Sequence, residues 1–246
     1  MLERAGLSPA AYRSAAMERR VSACLRQLRV DSPQAARVLL ERKPELLPVV
    51  LSTVLIGVSE FFRDKPVFDY ARDTVLPELL RTRAGLRVCG VGVSGGQEIY
   101  SMAMLLAEAG VLENSRLTGL DCRTEAIRRA SAGIYGAGEL AGIEPGRRER
   151  FFQPKDGGWE ARSVLKQRIH WQVADLLTFD AAEPSDLMLF RNVAIYFNDT
   201  HGAEAWTRLC AQLVDGGYLI TGKAEKPPSA LPLVRVAPSI YRKNPS

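Results

Sequence analysis

A glycine-rich stretch at residues 86–106, LRVCGVGVSGGQEIYSMAMLL, has the composition of a cofactor-binding turn. The apolar run before the glycines predicts a buried strand, and the run after them predicts a helix. The glycines would let the backbone turn tightly and let a ligand approach it closely; they are Gly90, Gly92, Gly95 and Gly96. Unpaired N–H groups at the start of the helix would face that ligand. This unit predicts a nucleotide-like cofactor in an open α/β sheet.

Two cofactors compete for this turn. Gly90 to Gly95 match the pattern G-x-G-x-x-G, which suggests a dinucleotide such as NAD but has low specificity on its own. Glu98 lies in the first turn of the predicted helix, where a carboxylate would repel the two phosphates of a dinucleotide. S-adenosylmethionine instead brings an ammonium and a sulfonium, which a carboxylate attracts. Glu98 therefore favours S-adenosylmethionine.

Two aspartates end predicted strands and suit other parts of such a cofactor. Asp121 ends the strand at 115–121 and could bind a ribose diol, or it could cap the following helix. Since NAD and S-adenosylmethionine share the ribose, Asp121 does not separate them. Asp175 ends the strand at 169–175 and could accept a hydrogen bond from the adenine amino group, or it could be a solvated loop residue.

The pattern from residue 86 onward alternates between strands and helices. Strands are predicted at 86–92, 115–121, 169–175, 185–193 and 217–223, with a final strand from Val234, and helices at 97–109, 124–132 and 199–213. The segment 136–168 is rich in glycine and proline and predicts an irregular or β insert. The alternation predicts a doubly wound, Rossmann-like α/β sheet.

The first part of the chain predicts a small all-helical domain over residues 1–70. Ser32 and Pro33 predict a helix start, and a third helix is expected over 46–56. Ser59 is expected to cap a short helix that carries FFR and ends before Lys65-Pro66. A linker helix is predicted at 71–85, followed by the cofactor-binding domain at 86–246. An arginine-bearing face of the helix at 17–30 suits an acidic partner.

Composition excludes several other classes. The 246 residues carry a net charge of +5, and four scattered cysteines without a C-x-x-C pair argue against a zinc site and suit a reducing cytoplasm. The N-terminal residues carry charges throughout and predict no signal peptide. No apolar run approaches the roughly 18 residues of a membrane span. Basic charge without an aromatic RNA-binding motif gives no support for a nucleic-acid partner.

Three separated motifs together resemble the chemotaxis receptor methyltransferases. They are VSEFFRD (58–64), VGVSGGQEIYSMAMLL (91–106) and FRNVAIYF (190–197). Members of that family use S-adenosylmethionine to esterify glutamate side chains on bacterial chemoreceptors. The resemblance implies a class I methyltransferase fold, a protein-glutamate O-methyltransferase activity, and the cytoplasmic helical domain of a chemoreceptor as partner. It implies nothing about the oligomeric state.

The resemblance also implies roles for individual residues. Arg63 matches the arginine that ends FFR and enters the site, and Tyr196 matches a tyrosine near the point of methyl transfer, so these two are the expected catalytic residues. The expected cofactor contacts are Ser59, Arg63, Gly90, Gly92, Glu98, Asp121, Asp175, Leu176, Arg191 and Asn192.

The chain departs from the family pattern at several positions. The usual S-T-G-E-E-P-Y-S is replaced by SGGQEIYS at 94–101, so one glutamate and the proline are missing. Arg123 stands where the family has the second aspartate of D-x-D, Lys223 replaces the histidine of G-H-S-E, and Gly57 replaces an asparagine. Three alternatives therefore stay open: a degenerate, non-catalytic relative that binds receptor or donor, a methyltransferase with another acceptor, and an NAD-dependent enzyme.

Overall fold

The computed structural model describes residues 2–3, 7–55, 57 and 59–245. Three helices come first, namely α1 (Ser14–Leu28), α2 (Pro33–Arg42) and α3 (Leu47–Val54). Ser32 caps α2, as predicted, by accepting a hydrogen bond from the N–H of Ala35 at 3.2 Å, and Pro33 occupies the first turn. The third predicted helix is confirmed up to Val54, and its last predicted residue lies outside the described part of the chain.

The predicted helix over FFR is wrong. Residues 59–64 form a turn in which Phe62 and Asp64 have φ values of 53° and 60°, and an α-helix excludes positive φ. This turn buries the rings of Phe61 and Phe62. The ring of Phe61 packs edge-on against the ring of Tyr135, with 4.9 Å between the ring centroids. Lys65-Pro66 begins the next helix instead of breaking the pattern, since proline is well tolerated in a first helical turn.

The connection to the sheet is helical. It consists of α4 (Lys65–Tyr70), a π-helical segment (Ala71–Val75) and α5 (Leu76–Leu80). A central sheet follows, with strands β1 (Arg87–Val91), β2 (Arg116–Asp121), β6 (Ile169–Val173), β7 (Ser185–Phe190), β8 (Leu213–Thr221), β9 (Leu233–Ala237) and β10 (Ile240–Lys243). The helices between them are α6 (Gln97–Glu108), α7 (Thr124–Ala132) and α10 (Asp199–Ala211).

The seven strands lie in the order β6-β2-β1-β7-β8-β10-β9. The first five are parallel, and β10 pairs antiparallel with both of its neighbours. This confirms the doubly wound α/β sheet, but the single final strand predicted from Val234 is instead a hairpin. Ser239, with φ 63°, lies in the turn that reverses the chain between β9 and β10. The order in which the chain adds strands reverses between β1 and β7: β2 and β6 extend the sheet on one side of β1, and β7 and β8 extend it on the other. Ligands bind at such a reversal point in open α/β sheets.

The predicted insert is a small antiparallel sheet. It comprises β3 (Ile134–Tyr135), β4 (Phe152–Lys155) and β5 (Gly158–Ala161) in the order β3-β5-β4, with the short helices α8 (Pro145–Phe151) and α9 (Ser163–Lys166). Tyr135 donates a hydrogen bond to the carbonyl of Gly95 at 2.7 Å. The insert therefore holds the glycine turn from one side.

Apolar side chains of the N-terminal helices share a buried cluster with one face of the central sheet. Cys24 in α1, Leu40 in α2 and Val50 in α3 belong to the same cluster as Phe190 of β7 and Trp206 of α10. This packing places the end of α3 over the carboxyl ends of the parallel strands. Within the described residues, no helix combines the length and the apolar character needed to cross a bilayer.

Candidate active site

A crevice opens at the carboxyl ends of β1, β2 and β7, beneath the segment that follows α3. It consists of two adjoining cavities, which share the residues Gly57, Gly92, Asn192 and Tyr196. In open α/β sheets, ligands bind at the carboxyl ends of the strands. The crevice therefore lies at the place in the fold expected of a cofactor site.

The crevice brings together most of the residues predicted from sequence. The first cavity is lined by Gly92, Asp121, Asp175, Leu176, Asn192 and Tyr196, and the second by Ser59, Arg63, Gly92, Glu98, Arg191, Asn192 and Tyr196. Gly90 is not among the described lining residues. A Cβ at Gly90 would lie 2.9 Å from a methyl carbon of Val93 and 3.3 Å from Ile99, so this glycine serves the close packing of β1 against α6.

The glycine turn itself has the geometry that only glycine adopts easily. Gly92 and Gly96 have φ values of 69° and 85°, and α6 begins directly after Gly96. A Cβ at Gly96 would lie 2.8 Å from the ring of Trp171. Ser94, between these glycines, has φ 50° and donates its hydroxyl hydrogen bond to the carbonyl of Gly57 at 2.8 Å. The turn is therefore fixed both by its own conformation and by the N-terminal segment.

At one end of the crevice, Glu98 belongs to a charge cluster centred on Arg191. The Arg191 side chain is 1% exposed, and it donates to Glu98 Oε1 and, at 2.6 Å, to Asp64 Oδ2. Asp64 also pairs with Lys223 at 2.5 Å. Burial raises the pKa of Glu98 to about 7, against the attraction of Arg191 and Arg63. Glu98 thus gains or loses a proton close to neutral pH.

The same cluster lowers the pKa of a second carboxyl. Burial opposes ionisation of Asp64, but the hydrogen bond from Lys223 and the charge of Arg191 outweigh it, so the pKa of Asp64 lies below its ordinary value. Asp64 therefore stays ionised at neutral pH, whereas Glu98 titrates.

At the other end of the crevice, Asp121 is fully engaged by the protein. Its carboxylate accepts four hydrogen bonds, from the N–H of Ser94 at 2.9 Å and, within Arg123, from the N–H at 3.0 Å, Nε at 2.8 Å and Nη2 at 2.9 Å. Arg123 also donates from Nη1 to the carbonyl of Leu55 at 2.5 Å. Asp121 is 3% exposed. A carboxylate offers about four acceptor positions, so none is left over.

The far wall beyond Asp121 is formed by a turn after β6 and by the N-terminal segment. Asp175 accepts a hydrogen bond from the N–H of Leu177 at 3.0 Å, which orders the turn that presents Leu176. Tyr12 lines the same wall, and burial raises the pKa of its hydroxyl, which therefore stays protonated and can donate. Sequence reasoning missed Tyr12, because tertiary contacts between residues 11–13 and residues 196–198 carry it to this wall.

A buried carboxylate holds the turn that follows β7. Glu225 is 4% exposed and accepts hydrogen bonds from the N–H groups of Asn192, Val193 and Ala194 at 2.6–2.8 Å and from Gly222 at 2.9 Å. Asn192 has φ 60°, a conformation that needs such support. Sequence reasoning did not single out Glu225. The available signal was its place as the glutamate of the G-H-S-E pattern.

Comparison with known proteins shows the family to which this chain belongs. The model of the CheR methyltransferase SAM binding domain matches residues 57–237. The chain belongs to the CheR methyltransferase family. It shares 31% identity over 222 residues with Cher3 of Pseudomonas putida, covering 87% of this chain and 81% of that one.

Two further relatives are named as chemotaxis enzymes. The chemotaxis protein methyltransferase of Listeria monocytogenes is 28% identical over 222 residues, covering 90% of this chain and 85% of the relative. Chemotaxis protein methyltransferase 1 of Pseudomonas aeruginosa is 29% identical over 216 residues, covering 80% and 77%. This CheR-family chain therefore belongs to the S-adenosylmethionine-dependent methyltransferases with a class I, Rossmann-like fold, and the match to an S-adenosylmethionine-binding domain excludes the NAD alternative.

The crevice fits S-adenosylmethionine along most of its length. The glycine turn, the carboxylate of Glu98 and the wall at Asp175 line two cavities that share four residues and so adjoin each other. Within the described residues, Arg191 is the single hydrogen-bond donor to Glu98, so this carboxylate can accept more. The exception in this CheR-family site is Asp121, because the guanidinium of Arg123 holds the acceptor positions that a ribose diol would need.

Proposed function

We propose that this chain transfers a methyl group from S-adenosylmethionine to glutamate carboxylates on the cytoplasmic helical domain of bacterial chemoreceptors. One observation carries the proposal: Arg63 and Tyr196 line the same cavity as Glu98, so the two expected catalytic side chains meet the expected cofactor contact. The names of the relatives support a role in chemotaxis. The three motifs support glutamate as the acceptor.

The reaction asks little acid–base chemistry of the protein. A glutamate side chain with an ordinary pKa is already ionised at neutral pH, so its oxygen needs no general base. When bound, S-adenosylmethionine supplies an electrophilic methyl group on a positively charged sulfur. The chain's task is to align the acceptor carboxylate and to exclude water from the space between Arg63 and Tyr196.

Each residue of the crevice receives a role on this proposal. Arg63 orients the acceptor carboxylate or the carboxylate of the donor, and Tyr196 lines the methyl pocket and orients the acceptor. Glu98 attracts the ammonium of the donor, and Asp121 is the ribose contact. The remaining contacts surround these positions: Ser59, Gly92 and Asn192 near the methyl pocket, Asp175 and Leu176 beside the adenine, and Arg191 as the fixed partner of Glu98.

The N-terminal helices supply the surface for the receptor on this proposal. We assign residues 1–70 to a receptor-facing helical domain, 71–85 to a linker helix and 86–246 to the catalytic domain, working in the reducing cytoplasm. Arg19 and Arg26 lie seven residues apart on exposed positions of α1 and suit the acidic surface of receptor helices. Added salt should weaken the complex if these charges attract the receptor.

The test measures transfer of labelled methyl groups to purified chemoreceptor cytoplasmic fragments. We expect wild-type protein to label the fragment with a base-labile methyl ester, and a fragment whose candidate glutamates are replaced by alanine to stay unlabelled. Arg63→Ala and Tyr196→Phe should lower the rate by about 10- to 100-fold, because lost positioning of reacting groups has effects of that size. Arg81→Ala, at an exposed arginine at the end of α5, and Tyr70→Phe, in α4, are the matched controls.

Other outcomes separate the alternatives. A base-stable label would indicate an acceptor other than a carboxylate. Unchanged rates in Arg63→Ala and Tyr196→Phe would remove these residues from the mechanism. The saturation of Asp121 by Arg123 favours one second candidate, a degenerate, non-catalytic relative that acts as a receptor- or donor-binding signalling module. Absence of binding to S-adenosylhomocysteine by calorimetry would support the receptor-binding form of that candidate.

A further inference from the structure

The pairing of Arg123 with Asp121 has a consequence for donor binding that does not depend on the identity of the methyl acceptor. We propose that Arg123 is a specificity-determining residue that competes with the ribose diol of the donor for Asp121. The guanidinium must leave the carboxylate before the diol can bind there. As a result, the two ribose hydroxyls contribute little to affinity in this chain.

The first support is the number of acceptor positions. Two of the four bonds to Asp121 come from the backbone N–H groups of Ser94 and Arg123, which the turn and the start of α7 hold in place. The other two come from the Arg123 guanidinium. Only these two can be released by a side-chain rotation. They are therefore the positions that a diol can take.

The second support is the relative strength of the competing bonds. The guanidinium bonds to Asp121 join opposite charges at 2.8 and 2.9 Å, with side chains only 9% and 3% exposed. Such charge-assisted bonds are about twice as strong as bonds from neutral hydroxyls. A diol that replaces them gains little, and it leaves a buried guanidinium with one partner fewer.

The competition between Arg123 and the diol is also supported by a second hydrogen-bond partner of Arg123. Its Nη1 donates to the carbonyl of Leu55, directly after α3. A Cβ at Gly57 would come within 2.5 Å of Arg123 Nη2, so the guanidinium lies against this segment of backbone. Arg123 therefore remains attached to the N-terminal segment when it releases Asp121, and ribose binding changes how that segment is held to the sheet.

The test is a cycle that changes the ligand and the protein in turn. Calorimetry measures the dissociation constants of S-adenosylhomocysteine and of its 2′,3′-dideoxy analogue, with no acceptor present. In wild-type protein, we expect removal of the diol to weaken binding by less than about 3-fold. In Arg123→Met, we expect the intact ligand to bind about 10-fold more tightly and removal of the diol to cost about 10-fold or more, which is the size of one or two hydrogen bonds.

The matched control and a second variant protect the test from trivial failure. Arg128→Met removes an exposed arginine of α7 that pairs with Glu125, and it should leave both dissociation constants unchanged. Arg123→Lys keeps the positive charge but offers a single point of contact, so its values should fall between those of wild type and Arg123→Met. The wild-type measurement needs no variant and stands if Arg123→Met does not fold.

The proposal is overturned if removal of the diol weakens binding to the wild-type protein by 10-fold or more. It is also overturned if removal of the diol weakens binding to wild type and to Arg123→Lys by the same factor. A direct readout is the Nε–H resonance of Arg123 in a ¹⁵N spectrum, identified by its loss in Arg123→Lys. It should move when S-adenosylhomocysteine is added and stay in place when the dideoxy analogue is added. These binding results are independent of whether the chain methylates glutamate.

Discussion

The two ends of the crevice differ in how much of their carboxylate is left for a ligand. At each end a carboxylate faces a buried arginine, Glu98 with Arg191 and Asp121 with Arg123. Glu98 accepts one hydrogen bond from the described residues, whereas Asp121 accepts four. One carboxylate is open to a ligand and the other is filled by its own chain.

The arginines differ in what else holds them. Arg191 bridges two carboxylates and approaches the carbonyl of Thr221 at 3.4 Å, so no single partner determines its position. Arg123 has one carboxylate and the carbonyl of Leu55. An arginine shared between several acceptors is a permanent part of the wall, whereas one that depends on a single carboxylate can exchange it. This difference predicts that stability depends on Arg191 and ligand selectivity on Arg123.

The largest effect is expected for Arg191→Met. The substitution leaves Glu98 and Asp64 facing each other without the cation between them, and removing one partner of a buried ion pair typically costs about 3–5 kcal/mol. Arg123→Met should lower the unfolding free energy by only about 1–3 kcal/mol, because Asp121 keeps two backbone N–H donors. Urea denaturation measures both. Equal losses would show that the two ends are not distinct.

A smaller effect is expected from pH on stability. Because the pKa of Glu98 is about 7 in the fold and ordinary in the unfolded chain, the native state binds more protons between about pH 4.5 and 7. The stabilisation is complete below pH 4.5 and is lost as the pH rises through 7, by on the order of 3 kcal/mol.

Glu98→Gln provides the control for this pH dependence, since it removes the titration. The unfolding free energies of wild type and variant, measured from pH 5 to 8, should differ by an amount that changes in favour of Gln as the pH rises. Asp64 does not interfere, because its pKa lies below its ordinary value and outside this window. A difference that stays constant over the range would contradict the assigned titration.

Ligand affinity should respond to the same group with the opposite sign. An ammonium beside Glu98 favours the ionised carboxylate, so S-adenosylhomocysteine should bind more tightly as the pH rises from 6 to 8, with release of a proton. Glu98→Gln should weaken binding about 10-fold at pH 8, the size of one charge-assisted hydrogen bond, and flatten the profile. Calorimetry in buffers of different ionisation enthalpy measures the released proton. Proton uptake would contradict this role.

Elements of the fold that depend on neighbouring residues were predictable from the sequence, whereas elements that depend on tertiary contacts were not. The helix start at Ser32-Pro33 and the strand–turn–helix at 86–106 were predictable, since capping and glycine conformation depend on neighbouring residues. The turn at 59–64 was not, because burial of Phe61 and positive φ at Phe62 outweigh helix propensity. The hairpin after Val234 likewise depends on pairing with β8.

The candidate site shows the same division. The strand-end position of Asp121 and the first-turn position of Glu98 follow from the order of elements, and the structure brings both to the crevice. Their arginine partners were not predicted. Arg191 directly follows β7 and lies 93 residues from Glu98 in the chain. Arg123 is only two residues from Asp121, but its guanidinium is also held by the carbonyl of Leu55, 68 residues away.

The smallest effect is expected for Lys223→Ala, at the edge of the Arg191 cluster. Lys223 pairs with Asp64, but its side chain is 75% exposed, and exposed ion pairs contribute about 0–1 kcal/mol. Asp64 keeps its buried bond to Arg191, so its charge stays compensated. We expect the unfolding free energy to fall by less than about 1 kcal/mol and the difference from wild type to shrink further in 0.5 M salt, which screens exposed charges. Lys223→His, which restores the family residue, is the matched variant and should behave alike at pH 8. If Lys223→Ala instead lowers the unfolding free energy as much as Arg191→Met does, and salt does not reduce the loss, the exposed lysine and the buried arginine stabilise the fold as one coupled cluster. The fixed part of this end of the crevice would then include Lys223 at the protein surface.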